Sequence, residues 1–165
     1  MKRTLVVLAV LLAVVPGAPA RATGPWAWPV TGPVVRGFDP PGSPYGSGHR
    51  GIDIGAPVGT LVRAPAPGVV SFAGSVGGHL FVTIDHGGGL LSTCSFLSAL
   101  LVHRGDLVVQ GQGIGLSGWG HDGDITPNVH FGVRLNGQYA DPFDYLSPAS
   151  LVDLIRLAPI VSRTR

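Results

Sequence analysis

Glycine and proline recur so often along this chain that they leave little room for helices. The sequence has 26 Gly and 15 Pro in 165 residues, spread through the chain rather than gathered in one linker. Short apolar runs between them are typical of an all-β sandwich or barrel. We predict an antiparallel β-sandwich with strands in 60–62, 68–72, 80–84, 90–92, 107–109, 114–116 and 131–135. Only 148–157 has helical spacing, and the tail at 162–165 is predicted to be disordered.

Residues 1–22 are predicted to be a cleaved signal peptide. Lys2 and Arg3 precede an apolar run over 5–15, and Ala20-Arg21-Ala22 provides a cleavage site. An apolar run of this length is too short to span a bilayer of about 30 Å. No cysteine follows the cleavage site to carry a lipid. We therefore expect a secreted protein, extracellular or in the cell wall, with no membrane attachment after cleavage.

The remainder is predicted to be one β-domain over 23–147, followed by the short helix and tail over 148–165. Without the leader, eight Arg and no Lys stand against nine Asp, so the charges nearly balance. Such a balance gives no reason to expect a nucleic-acid partner. Trp26 and Trp28, in the entry segment, either pack on this domain or bind sugar, and packing is the favoured interpretation.

Two residue counts restrict the chemistry. Cys94 is the only cysteine, so it forms no internal disulfide, and a buried small residue is favoured over a reactive thiol. The chain has no Glu, which excludes protease schemes that use the Glu of H-E-x-x-H as general base. Proton transfer must therefore come from His, Asp or a metal-bound water.

A histidine and an aspartate stand four residues apart in a glycine-rich segment, GHRGIDIG. In a straight strand, His49 and Asp53 would be about 13 Å apart, too far to share a metal ion. The surrounding glycines argue against a helix, but a turn around Gly51 would bring the two side chains together. Both types of side chain bind zinc at about 2.0–2.2 Å. The alternative is a lone surface histidine near an unrelated aspartate.

The segment ITPNVHFGVR alternates apolar and polar residues, which predicts a strand with one buried face. Asn128 and His130 then share its other face. His86 ends a predicted strand and is interpreted as structural, whereas His79, His103 and His121 are interpreted as loop residues. A site with His49, Asp53 and His130 would leave a fourth tetrahedral position for water, as in catalytic zinc sites.

Four segments in order resemble the lysostaphin-like family of secreted zinc endopeptidases, which act on peptidoglycan peptides. They are GHRGIDIGAPVGTLVRAPAPGVVSFAG, FVTIDHGGGLLST, VHRGDLVVQGQGIGLSG and VHFGVRLNGQYADPFDYL, and the likeness covers about 28–146. The resemblance implies a β-sandwich with a groove over zinc, held by His49, Asp53 and His130. It also implies peptidoglycan peptides as the binding partner.

Two positions depart from this family's pattern. Asn128 stands where the first histidine of H-x-H is catalytic, and Phe96 stands where the family has a second catalytic histidine. Losing a general base typically lowers the rate by about 10²–10⁴. Asn128 could still donate a hydrogen bond from its amide but could not exchange a proton near neutral pH.

A polar loop, GWGHDGD, precedes the His130 strand and leaves two interpretations open. Either His121 lies over the zinc and substitutes for a missing histidine, or the loop, with Asp122 and Asp124, is simply solvated. Two functions follow: a zinc endopeptidase of weak activity, or an inactive relative that binds peptidoglycan or regulates a partner hydrolase. Tyr45 and Trp119 are further candidates to line the groove.

Overall fold

The computed structural model describes residues 25–43 and 46–148. Ten strands and one short 3₁₀ helix make up its regular structure. The strands are β1 (Val34–Arg36), β2 (Ile52–Gly55), β3 (Leu61–Arg63), β4 (Gly68–Val76), β5 (His79–Asp85), β6 (Leu90–Leu100), β7 (Leu107–Val108), β8 (Gly113–Ser117), β9 (Asn128–Leu135) and β10 (Gln138–Ala140). The helix, at Pro142–Asp144, begins where the Asp141 carboxylate accepts the Phe143 backbone N–H.

The strands are joined by hydrogen bonds into one branched antiparallel network. Its main path runs β1-β2-β9-β6-β5-β4-β7, with β10 beside β9. A side branch, β8 paired with β3, leaves from β6. The predicted all-β, antiparallel fold is confirmed.

The longest strand, β6, changes partner midway along one edge. Up to Ser95 it pairs with β9, and from Leu97 onward it pairs with β8, while β5 follows its other edge. Phe96 lies between the two pairings with φ +59, in a region that non-glycine residues seldom occupy. This break turns the Phe96 ring into the groove described below.

All seven predicted apolar runs lie in strands, but several boundaries differ. The prediction ended β6 at Ser92, whereas the strand continues to Leu100. β1, β2 and β10, each of three or four residues, were not predicted as strands. Of the predicted C-terminal helix, only Pro148 is described and it is not helical; the rest lies outside the described residues, as do the predicted signal peptide and tail.

The core is one apolar cluster drawn from both the main path and the branch. Ile52 and Ile54 of β2 and Val129, Phe131 and Val133 of β9 all point into it. Alternation along a strand then sends the residues between them to the opposite face. The metal centre is built on that opposite face.

Two interpretations of single residues are confirmed by their burial. Trp26 is buried against His86 and Tyr145, and the Trp28 indole donates a hydrogen bond to the Ser147 carbonyl, so both tryptophans pack on the domain. Cys94 is buried, and desolvation raises the pKa of its thiol to about 12. A thiol in this state is not a nucleophile.

Replacing Phe131 by alanine tests the core. The side chain is completely buried, so Phe131→Ala is expected to lower the free energy of unfolding by about 3–5 kcal/mol. Phe143→Ala is the matched control, because that ring is half exposed and contacts only one aromatic neighbour, Trp28. Urea unfolding measures both, and equal losses would contradict the assignment of the core.

Candidate metal centre

The register of three neighbouring strands brings two of the predicted ligands together. Asp53 on β2 is the cross-strand partner of His130 on β9, and His130 is in turn opposite Ser95 on β6. Facing residues on adjacent strands have Cβ atoms about 4.5–5.5 Å apart. The Asp53 Oδ1 atom therefore lies 2.8 Å from His130 Nδ1. A slip of one residue would send either side chain into the core.

His49 reaches the same point from the bend that precedes β2. Its Nε2 atom lies 3.0 Å from Asp53 Oδ1 and 3.0 Å from His130 Nδ1. The predicted turn around Gly51 is confirmed, and it needs glycine for close approach. A Cβ atom at Gly51 would lie 2.3 Å from the Phe131 carbonyl oxygen and 2.9 Å from the His130 ring.

His121 joins the cluster from the loop between β8 and β9. Its Nε2 atom is 3.3 Å from Asp53 Oδ1 and 3.3 Å from His130 Nδ1. The Asp124 carboxylate accepts the His121 backbone N–H at 2.7 Å, which closes the turn that carries the ring. A solvated loop is thus the wrong interpretation for His121, although it holds for Asp122, whose side chain is 95% exposed.

The four side chains form one potential metal-binding group. One donor atom from each of His49, Asp53, His121 and His130 lies within 4.8 Å of the other three. His49 and Asp53 are buried, and the two remaining histidines are partly buried at the floor of the groove. The three ligands expected from the sequence are brought together, and His121 is added to them.

The electrostatics of the cluster suit a cation. Burial by itself would raise the pKa of the Asp53 carboxyl, but the hydrogen bond from His130 and the surrounding imidazoles hold it below its usual value. Burial lowers the pKa of His130, with Asp53 only partly opposing it. A charged carboxylate and a neutral imidazole at neutral pH are the protonation states that bind a metal.

The hydrogen bonds of His49 show that a metal fits the cluster. Its Nδ1 atom lies 2.6 Å from the Gly37 carbonyl oxygen and must donate to it. The Nε2 atom of a neutral His49 then carries a lone pair that faces the Asp53 oxygen at 3.0 Å. Two such acceptors repel each other, whereas a cation between them attracts both. A ligand histidine whose other nitrogen donates to a backbone carbonyl is the usual arrangement at zinc sites.

The two positions predicted to have lost catalytic histidines are occupied differently. Asn128 is 2% exposed, and its amide donates to the Asp124 carboxylate at 2.8 Å and to the Thr126 carbonyl at 3.0 Å. Its side chain therefore fixes the loop that carries His121 and does not line the groove. Phe96 does line the groove, and its ring centroid is 4.3 Å from that of His121.

The remaining candidates lie outside the cluster. His86 is buried, with ring nitrogens bonded to the Pro67 carbonyl and the Ser92 hydroxyl, so its structural interpretation is confirmed. His103 is exposed, as expected of a loop residue, whereas His79 begins β5 and its ring contacts Phe96. Trp119 is 56% exposed and bonds to its own loop, and Tyr45 is outside the described residues.

A groove of about 610 Å³ lies over the cluster. One part of its wall is apolar, from Phe72, Phe81 and Phe96, and another part carries guanidinium groups. The guanidinium of Arg134 lies 4.8 Å from the centre of the Tyr139 ring. Among the described residues that line the groove, none is acidic. Most of these lining residues were not predicted, because their common wall depends on strand order and register rather than on a local motif, and Trp119, which was a candidate, is not among them.

The family assignment follows from comparison with known proteins. The model of "Peptidase family M23" matches residues 47–142, more than half of the chain, including all four members of the cluster. The chain belongs to peptidase family M23. The predicted resemblance to lysostaphin-like enzymes is thereby confirmed, and the family is one of zinc metallopeptidases.

The relatives include a peptidase, a lipoprotein and a protein named as a hydrolase activator. Outer membrane antigenic lipoprotein B of Haemophilus influenzae is 33% identical over 78% of this chain and 31% of that protein. Murein hydrolase activator NlpD of Salmonella dublin is 32% identical over 73% of this chain and 31% of that protein. The catalytic domain of the antimicrobial peptidase lysostaphin from Staphylococcus simulans is 28% identical, with a TM-score of 0.54, over 66% of this chain and 87% of that domain.

The similarity covers part of the length of each of these relatives. The chain spans less than half of the length of the lipoproteins that it resembles. In the described part of the chain, no helix has the length and apolar character needed to cross a membrane.

Removing the shared carboxylate tests the metal centre. Asp53→Ala is expected to reduce bound zinc from about one equivalent to background, because Asp53 Oδ1 is the oxygen around which the imidazoles meet. Zinc at 1,000 times its Kd would stabilise the unaltered protein by about 4 kcal/mol and leave the variant unaffected. Elemental analysis and calorimetry with and without a chelator measure the two effects.

Asp144→Ala is the control, since Asp144 is an exposed aspartate in the 3₁₀ helix. Zinc content unchanged in Asp53→Ala would contradict the site.

Proposed function

We propose that this protein is a cell-envelope member of family M23 that holds zinc, binds peptidoglycan peptides without efficiently cleaving them, and regulates a partner hydrolase. The observation that carries the proposal is the state of the two catalytic positions. Asn128 is buried and bonded to its own loop, and Phe96 presents an apolar ring to the groove.

Neither residue can handle a proton. A phenyl ring has no titratable group, and a carboxamide does not accept and return a proton near neutral pH. Proton transfer by a positioned side chain contributes about 10²–10⁴ to the rate of a typical hydrolase. Zinc, when bound, would polarise a carbonyl group and acidify water. Neither residue 96 nor residue 128 would supply the proton transfer that must accompany these effects of zinc.

The chemistry of the groove supports a peptide ligand that carries carboxylates. Arg36, Arg50 and Arg134 all line it, and guanidinium groups pair with carboxylates through two parallel hydrogen bonds. The apolar part of the groove wall, formed by Phe72, Phe81 and Phe96, suits aliphatic side chains. Peptidoglycan peptides combine free carboxylates with short aliphatic side chains, so they match both parts of the groove.

The names of two relatives point in the same direction. One is called a murein hydrolase activator and another an outer membrane lipoprotein. Both share at least 30% identity with this chain over more than two thirds of its length. These names support a regulatory role in the envelope, with a peptidoglycan hydrolase as partner.

Digestion of purified peptidoglycan tests the absence of efficient cleavage. The zinc-loaded protein is expected to release muropeptides no faster than its Asp53→Ala variant, because the proton-transfer groups are missing. The lysostaphin catalytic domain, on a peptidoglycan that it cleaves, is the positive control. Chromatography of the soluble fragments gives the rate, and zinc-dependent release that Asp53→Ala abolishes would overturn the regulatory proposal.

A peptidase is the second candidate, and one observation favours it. The His121 ring lines the groove and is partly exposed, so it could act on a proton of a bound peptide. In that case the release of muropeptides would depend on His121 and be lost in His121→Ala.

Removing groove charges tests the binding proposal. Arg36→Ala/Arg134→Ala is expected to weaken sedimentation of the protein with purified peptidoglycan by about 10-fold, the effect of losing about 1.4 kcal/mol of charge-assisted hydrogen bonding. Added salt should weaken binding of the unaltered protein more than binding of the variant. Arg104→Ala is the control because Arg104 is exposed and does not line the groove. Equal binding by all three proteins would contradict this role for the groove.

A further inference from the structure

The geometry points to His121 as a fourth zinc ligand, which makes the centre a closed site of three histidines and one aspartate. This inference deepens the proposed function and rests on the metal centre proposed there. It differs from the second candidate, in which His121 acts on a proton. A ligand nitrogen engaged with the metal has no free lone pair for that purpose.

The spacing of the donor atoms supports tetrahedral coordination. In a regular tetrahedron the ligands are separated by 1.63 times the metal–ligand distance, or about 3.3 Å for zinc with oxygen and nitrogen ligands. The separations of His121 Nε2 from Asp53 Oδ1 and from His130 Nδ1 are both 3.3 Å. The three separations among His49, Asp53 and His130 are 2.8–3.0 Å. His121 Nε2 thus lies at the tetrahedral spacing from two of the other three donors and within 4.8 Å of the third, so it can fill the coordination position that a catalytic site keeps for water.

The residues around His121 hold it in this position. Its backbone N–H donates to the Asp124 carboxylate, which also accepts the Asn128 amide at 2.8 Å. The Phe96 ring packs against the imidazole on the groove side. Asn128 and Phe96, the residues at the two predicted catalytic positions, therefore both support His121. Asn128 bonds to the carboxylate that holds its loop, and Phe96 packs against its ring.

A closed centre has a different role from an open one. Four protein ligands are the mark of structural zinc sites, whereas catalytic sites keep one position for water or substrate. Zinc in this centre would join the β8–β9 loop to β2 and β9 and stabilise the floor of the groove. The lack of hydrolysis would then follow from coordination as well as from the missing proton-transfer groups.

Cobalt substitution distinguishes a closed centre from an open one without any assay of activity. The purified protein is loaded with Co²⁺, and its visible absorption is recorded while azide is added as an exogenous ligand. The unaltered protein should show an intense four-coordinate spectrum that azide leaves unchanged. His121→Ala should respond to azide and bind zinc at least about 10-fold more weakly, as measured by competition with a chromophoric chelator. His103→Ala is the matched control, since His103 is an exposed loop histidine.

X-ray absorption of the zinc-loaded, unaltered protein provides a second measurement if the variant does not fold. Three imidazoles and one oxygen ligand are expected. Two imidazoles with additional oxygen ligands, or an azide response in the unaltered protein, would overturn the inference. That result would leave the regulatory proposal standing, because the proposal is decided by digestion of peptidoglycan and not by the metal spectra.

Discussion

The oxygen of one buried carboxylate organises this site. Asp53 Oδ1 lies 2.8–3.3 Å from ring nitrogens of three histidines that come from a bend, a strand and a loop. So many imidazoles can approach one oxygen only because β2 and β9 are in the register that pairs Asp53 with His130. The apolar residues on the opposite face of both strands maintain that register by filling the core.

The same scaffold separates metal binding from proton transfer. The candidate ligands belong to the adjacent strands β2 and β9 and to the segments that lead into them. The two positions predicted to have lost catalytic histidines lie at the break in β6 and at the start of β9. Neither Phe96 nor Asn128 belongs to the candidate metal cluster, so the cluster does not depend on a histidine at either position.

The strand-rich fold could be predicted from the sequence because glycine spacing and alternation are local signals, whereas the ligand set His49, Asp53 and His130 is what the resemblance to lysostaphin-like enzymes implies. The sequence leaves His121 open, since its position depends on how a ten-residue loop folds back over the sheet. The contact of His49 with the Gly37 carbonyl could not be predicted from a motif, because every residue has a backbone oxygen. The hydrogen bond to the Asp124 carboxylate could not be predicted either, because it depends on the fold of the loop. Alternation places Asn128 on the same face of its strand as His130, but it does not give the contacts that the amide makes there.

The double use of the Asp124 carboxylate has an evolutionary consequence. It accepts hydrogen bonds from the His121 backbone and from the Asn128 side chain, so substitution of either Asp124 or Asn128 would disturb the turn that carries His121. Substitution of Asn128 by histidine would remove the amide that anchors the turn, and position 96 would still carry a phenyl ring. The effects of substitutions at Asp124 and Asn128 on the His121 turn are therefore expected to be epistatic.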